Sequence, residues 1–392
     1  MLNVSLIQQS MQQLGLTRSA LALACEVSKE AVSNWLSGQS LPRPRKLLLL
    51  AQVLQIEITE LIAPEDEPVI AYRTTGEQRA SAAALDAART AAEHLQELLP
   101  YLPHPRLFSP AVLEKPSLED AYLQETTRQV RARLGLAADA PVQRAQLLAL
   151  LQDFGAILVP VYWNQQRQGH ENALSIYLPR SKSAWVFVNL HARIDEFNAW
   201  LAHELAHCYT LHALPSEEGE LFAERFAQSL LFPLSAAARA AAEMSGTPVD
   251  QALRQVAWHA GKYEVSMTTI VAQVDAWLSS QGRKTSGLKR KLRGPAGHID
   301  GSREAGTISA ALWGADQLPA EQYLGITARW FNTPIFDALA NWQAAQGGRS
   351  PAFVASALNI DIGQAVEISF ALSKPGARSG HSASADSPNS TR

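Results

Sequence analysis

The chain has only two cysteines in 392 residues, Cys25 and Cys208. That count excludes a disulfide framework and points to a reducing compartment. Charge is also sparse. Charged residues make up 18% of the chain, and the formal net charge is -3. The whole molecule therefore carries no nucleic-acid signal, and any DNA-binding surface must be local. No apolar run reaches the ~18 residues that a membrane-spanning helix needs. The opening residues, MLNVSLIQQSMQQ, lack the basic-then-apolar order of a signal peptide. The expectation is a cytoplasmic protein with no membrane partner.

What is abundant points to helices. The hydrophobic fraction is 47%, with alanine and leucine dominant, which suits a globular, helix-rich chain. The length is too great for one small core. The expected class is mainly α with a small β-sheet (α+β). Residues 1–65 read as a compact set of short helices. Residues 66–118 read as a linker with an Ala-rich helix at 77–99. Residues 119–282 form a larger domain, with FGAILVPVYW (154–163) and SAWVFVNL (183–190) as strands. Both segments are short, β-branched or aromatic, and bounded by Gly, Pro or Ser. Residues 283–372 read as a basic linker and helical module. The Ser/Pro/Gly-rich end, 373–392, is expected to be disordered.

Residues 16–41 read LTRSALALACEVSKEAVSNWLSGQSL. Thr17 and Ser28 are N-cap residues for two short helices. Leu21, Ala22 and Cys25 fall on one face of the first; Val32 and Trp35 face inward on the second. A tight turn at Glu26–Val27 separates them, and Gly38 ends the second helix. With a third helix from about Arg43 to Leu54, this pattern predicts a helix-turn-helix. The stretch resembles the XRE (Cro/repressor-like) DNA-binding domain over about residues 5–62. The resemblance makes Ser28–Leu36 the recognition helix. It implies that Lys29, Glu30 and Asn34 reach base edges, with Ser33 on the same outer face. It also implies that Arg18 approaches a phosphate or base. Glu26 stands where the family often has a turn glycine. Five cations (Arg18, Lys29, Arg43, Arg45, Lys46) oppose four acids (Glu26, Glu30, Glu57, Glu60) in residues 1–62, a net of only +1.

The stretch WLAHELAHCYTLH, residues 200–212, contains H-E-x-x-H. On an α-helix, His203 and His207 lie one turn apart on one face, so both imidazoles can hold one ion. Glu204 falls on a neighbouring edge, suited to taking a proton from a water rather than to binding the ion. That is the donor pattern of a zinc peptidase. A third ligand should come from a separate element. His212 points elsewhere on the helix. Glu220, opening a second helix that ends at Pro233, is the better candidate. Ala223 and Ala227 near its face permit close approach to the histidine helix.

This arrangement resembles the ImmA/IrrE family of metallopeptidases, over roughly residues 119–281. The matching residues are the VFVNL strand, HELAH, and the string Glu220, Ala223, Phe226, Ala227, Leu230, Leu231, Pro233. The resemblance implies Zn2+ held by His203, His207 and Glu220, with Glu204 as general base. It implies a protein substrate, such as a repressor or antitoxin. Where many relatives carry Asn after the alanine, this chain has Glu224. A homodimer is a further expectation. The alternative reading is a transcriptional regulator whose peptidase-like domain senses a ligand or partner without proteolysis. Cys208 reads as a packing residue. Tyr209, His212 and Tyr263 are open candidates for oxyanion contact, with packing the simpler role. The basic run Arg283, Lys284, Lys289, Arg290, Lys291 and Arg293 reads as a solvated linker. Trp313, Trp330 and Trp342 read as core.

Overall fold

Thr17 and Ser28 start two helices by the same device. Each side-chain oxygen accepts a backbone N–H three residues on, from Ala20 and Ala31, both at 3.1 Å, which satisfies a donor the helix itself leaves free. The computed structural model describes residues 2–37, 40–61, 68–73, 81–103, 112–163, 173–211, 213–214, 216–292 and 306–374. Gly38, His212, Arg293 and the tail from residue 375 lie outside the described residues. The chain divides into two units. One comprises 1–69 with 178–180; the other comprises 70–177 with 181–392.

The first unit contains α1 (Val4–Gln13), α2 (Arg18–Ala24), α3 (Lys29–Leu36), α4 (Pro44–Leu54) and α5 (Ile58–Leu61). Its core gathers Ile7, Leu21, Cys25, Val32, Trp35 and Leu50, all buried. Leu21 and Ala22 are the buried face of α2, and Val32, Trp35 and Leu36 that of α3. Glu26, in the turn between them, has φ 53. That left-handed conformation favours glycine. Its carboxylate pairs with Lys46 of α4 at 3.0 Å, so the turn is tied to a third helix.

The second unit is mainly helical around a four-stranded mixed sheet. The strands are β1 (Val69–Arg73), β2 (Ile157–Val161), β3 (Ala173–Leu178) and β4 (Ser183–Asn189), in the order β1-β3-β4-β2. All of the sheet but Val69 and Leu178 lies in this unit. β2 and β4 are the two strands expected from sequence. They pair in parallel, with Ile157 opposite Trp185 and Val161 opposite Asn189. Every residue of β2 is buried, as expected for a parallel strand covered on both faces. β3 joins β4 through a four-residue turn, which only an antiparallel pair allows.

Helices precede the sheet: α6 (Ala82–Leu98), α7 (Asp120–Arg133) and α8 (Arg144–Phe154). After β4 come α9 (Phe197–Thr210), α10 (Ser216–Leu231), α11 (Leu234–Met244), α12 (Val249–Tyr263), α13 (Met267–Ser280) and α14 (Leu288–Leu292). The last group is α15 (Ile308–Trp313), α16 (Ala320–Phe331), α17 (Ile335–Ala345), α18 (Pro351–Leu358) and α19 (Ile362–Leu372). This last group closes the sheet edge. β2 is an outer strand, so its Pro160 leaves no ladder donor missing. Its outward carbonyls are taken instead by side chains: Tyr323 of α16 donates to Pro160 O, and Thr333 donates to Leu158 O. Trp330 stacks on Phe197 of α9, and Trp342 stacks on Phe353. These tryptophans join the packing of the unit, as read from sequence.

Candidate metal centre and DNA-binding face

α9 carries the H-E-x-x-H stretch and is buried nearly all round, from Phe197 to Thr210. A helix apolar on every side is a core helix, so its few polar residues require partners. At its start, Asn198 accepts from Arg144 Nε at 3.0 Å and donates to Glu264 at 3.0 Å, while Arg144 also reaches Glu264 at 3.0 Å. This network ties α9 to α8 and to the end of α12. α10 runs against α9 through small side chains. Ala202, Ala206 and Ala223 are fully buried and Ala227 nearly so. At the far end of α10, the buried Arg131 of α7 donates to Leu230 O at 2.8 Å.

α10 begins at Ser216, one turn before the start expected from sequence. Glu217 and Glu218 lie in its first turn, where acidic groups suit the positive end of the helix dipole. Glu220 consequently sits one turn inside the helix. Its carboxylate reaches both histidines: Oε2 is 3.3 Å from His203 Nε2, and Oε1 is 3.1 Å from His207 Nε2. The two Nε2 atoms are 3.1 Å apart. His203, His207 and Glu220 are the one such cluster found among the described residues.

The donor set fits a small divalent cation. Zinc–nitrogen and zinc–oxygen bonds of about 2.0–2.1 Å in a tetrahedron place ligand atoms roughly 3.3–3.4 Å apart. The observed separations come close to that spacing. Two imidazole nitrogens this close also need a proton or a cation between them. Burial alone would raise the Glu220 carboxyl, but hydrogen bonds from His203 and His207 pull it down to about 2. Burial works against protonation of His207, yet the Glu220 carboxylate outweighs it and raises the imidazole. The cluster thus favours positive charge at its centre.

Glu204 lies outside this donor cluster. It is buried, 3% exposed, and accepts a hydrogen bond from Ser175 Oγ of β3. Ser175 is a residue that sequence reading missed. Its sequence signal is weak: Leu174, Ile176 and Leu178 alternate with Ser175 and Tyr177, the period of a strand, but over only a few residues. Glu224 is exposed and accepts from Gln228 at 3.1 Å, so it does not contact the histidines. Tyr209 packs edge-on against Phe154 and Phe226, and burial pushes its phenol up to about 12. Tyr263 donates to Asp139 O at 2.7 Å and packs on Phe232. Both tyrosines have core roles. Cys208 is buried, 4% exposed, and desolvation, followed by the Glu204 charge, pushes its thiol up, in keeping with a packing residue.

On α3, Lys29, Glu30, Ser33 and Asn34 are all exposed, opposite the buried Val32, Trp35 and Leu36. Arg18 is exposed at the start of α2. Hydrogen bonds from its own backbone N–H and from Ser28 lower the Glu30 carboxyl, so its negative charge is directed at the helix N-terminus.

A helix-turn-helix family model matches residues 7–61. No curated protein and no solved structure matches the chain. The chain therefore carries a DNA-binding helix-turn-helix of the XRE type at its N-terminal end. No helix among the described residues is long and apolar enough to cross a membrane.

Proposed function

We propose that this protein is a DNA-binding regulator whose second unit is a zinc-dependent peptidase. The observation that carries this reading is the convergence of His203, His207 and Glu220, with Glu204 buried on the same helix as the two histidines. Those three residues hold the ion. Bound zinc supplies Lewis-acid polarisation of a carbonyl and lowers the pKa of a water. Glu204 is the general base: it takes the proton of the attacking water and returns it to the leaving amine. Ser175 holds the Glu204 carboxylate by donating to it. The resemblance of residues 119–281 to the ImmA/IrrE family supports a regulatory protein, of repressor or antitoxin type, as substrate.

On the DNA side, Lys29, Glu30 and Asn34 approach base edges in the major groove with Ser33 on the same outer face, and Arg18 approaches a phosphate or a base. A homodimer would present two such helices to paired half-sites.

The deciding experiment replaces the base alone. Glu204→Gln keeps size and hydrogen bonding. The variant is expected to retain zinc and its fold. It should lose cleavage of the cognate repressor by about 10²–10⁴-fold, and lose regulation in cells with it. Wild-type regulation by the Glu204→Gln protein would replace the peptidase reading with that of a ligand-sensing regulator.

A further inference from the structure

The basic run after α13 has a use that the peptidase reading leaves untouched. α13 ends where Gly282 turns at φ 65, and Arg283 N–H returns to Leu278 O at 2.9 Å. That is the left-handed cap that reverses a chain at a helix end. Asp275 of α13 then accepts the Ser286 backbone N–H at 2.7 Å, which pins the loop. Leu288, 5% exposed, follows at the start of α14.

Beneath this loop lies a cavity of about 230 Å³. Ala241, Ala252, Val274, Leu278 and Leu288 line its floor, and all five are buried. Val249, 45% exposed, lines it too and offers an apolar approach. Arg283 and Lys284 also line it. Both are exposed, and among the described residues neither makes an ion pair. None of the lining residues belongs to the histidine cluster. The lining is mixed: Ser245, Thr247 and Ser286 stand beside the apolar floor, with Arg283 and Lys284 as its charged members, which suits a small molecule with both an apolar and a charged part.

We propose that this cavity binds a small anionic amphiphile, a straight-chain carboxylate whose tail fills the chamber and whose head meets Arg283 and Lys284. The volume equals that of about seven or eight waters at roughly 30 Å³ each. A methylene is similar in size to a water, so the volume suits a chain of about six to eight carbons. Two exposed cations at the wall, in no ion pair among the described residues, select a charged head over a neutral one. The proposal does not depend on zinc or on peptide hydrolysis.

The test is isothermal titration of the full chain with sodium carboxylates from butyrate to decanoate, with octanol as the neutral comparison. One saturable site is expected, tightest near six to eight carbons. Octanol should bind at least about tenfold more weakly than octanoate, and the octanoate affinity should fall as salt rises. Changing both cations, Arg283→Glu with Lys284→Glu, should weaken octanoate at least about tenfold. Both sites are exposed, so the thermal midpoint should not move. Ala252→Leu, which fills part of the cavity, should weaken binding and move the optimum to a shorter chain, while His203→Ala should leave it unchanged. Absence of saturable binding across the series would overturn the proposal. So would equal affinity for octanol, or full octanoate binding in both the charge-reversed and the filled variants.

Discussion

Ser175 Oγ, on a strand, donates a hydrogen bond to Glu204 Oε2, on the helix that also carries both histidines. Strand and helix are 29 residues apart in the chain at these two positions. The bond fixes one oxygen of a buried carboxylate, the group that the proposed mechanism uses as its base. Ser175→Ala is therefore expected to keep zinc and fold but lower kcat by about tenfold, the equivalent of a lost hydrogen bond to a charged group. Ser175→Thr, which keeps the hydroxyl, should restore most of the rate. Steady-state kinetics on the cognate substrate, paired with zinc analysis, measures this. A Ser175→Ala kcat equal to wild type would remove the residue from the mechanism.

The metal set predicts a sharp contrast between neighbours on one helix. Purified protein should carry about one zinc per chain. Glu220→Ala and His203→Ala should each reduce affinity by more than the 10–100-fold typical of losing a hydrogen-bonding residue behind the ligands. Glu224→Gln, one turn further along and exposed, should leave it unchanged. Competition with a chromogenic chelator gives the affinities. Full zinc retention in Glu220→Ala would exclude Glu220 as a ligand.

On the DNA-binding unit, base contact and phosphate contact should separate cleanly. Asn34→Ala is expected to relax preference at one or two base pairs. Arg18→Ala should weaken binding to all sequences alike and reduce the salt slope by about one. Gel shifts across a randomised operator library, at several salt concentrations, resolve the two. Binding by the wild type without sequence preference would contradict the base-reading role of α3.

The Glu26 turn is expected to respond to glycine. A non-glycine residue in the left-handed region costs about 1–2 kcal/mol, and an exposed ion pair returns about 0–1 kcal/mol. Glu26→Gly should stabilise the helix-turn-helix by about 0.5–1 kcal/mol, since glycine's greater unfolded-state freedom offsets part of the gain. Glu26→Ala keeps the strain, loses Lys46, and should destabilise. The Lys46 hydrogen bond lowers the Glu26 carboxyl. Its contribution is therefore present at neutral pH and lost as pH falls through the folded value. Hydrogen exchange of the α2 and α3 amides reads this order. Greater protection in Glu26→Ala than in Glu26→Gly would refute it.

Local chemistry was legible without a structure. The Thr17 and Ser28 caps, the buried faces of α2 and α3, the 3.6-residue period that aligns His203 with His207, and the existence of β2 and β4 as strands follow from spacings of a few residues. Such spacings act through backbone hydrogen bonding and side-chain direction, which neighbours in sequence decide. What remained needed long-range packing. The approach of Glu220 to the histidines depends on alanines of two helices meeting face to face. The Ser175 bond depends on a short strand whose alternation, in a six-residue segment holding a serine, is too brief to stand out alone. Tyr323 and Thr333 reach the β2 carbonyls across 163 and 175 residues of chain. No local pattern encodes such pairings. They form because buried polar groups left without partners are costly, and only the folded chain decides which distant side chain supplies the partner.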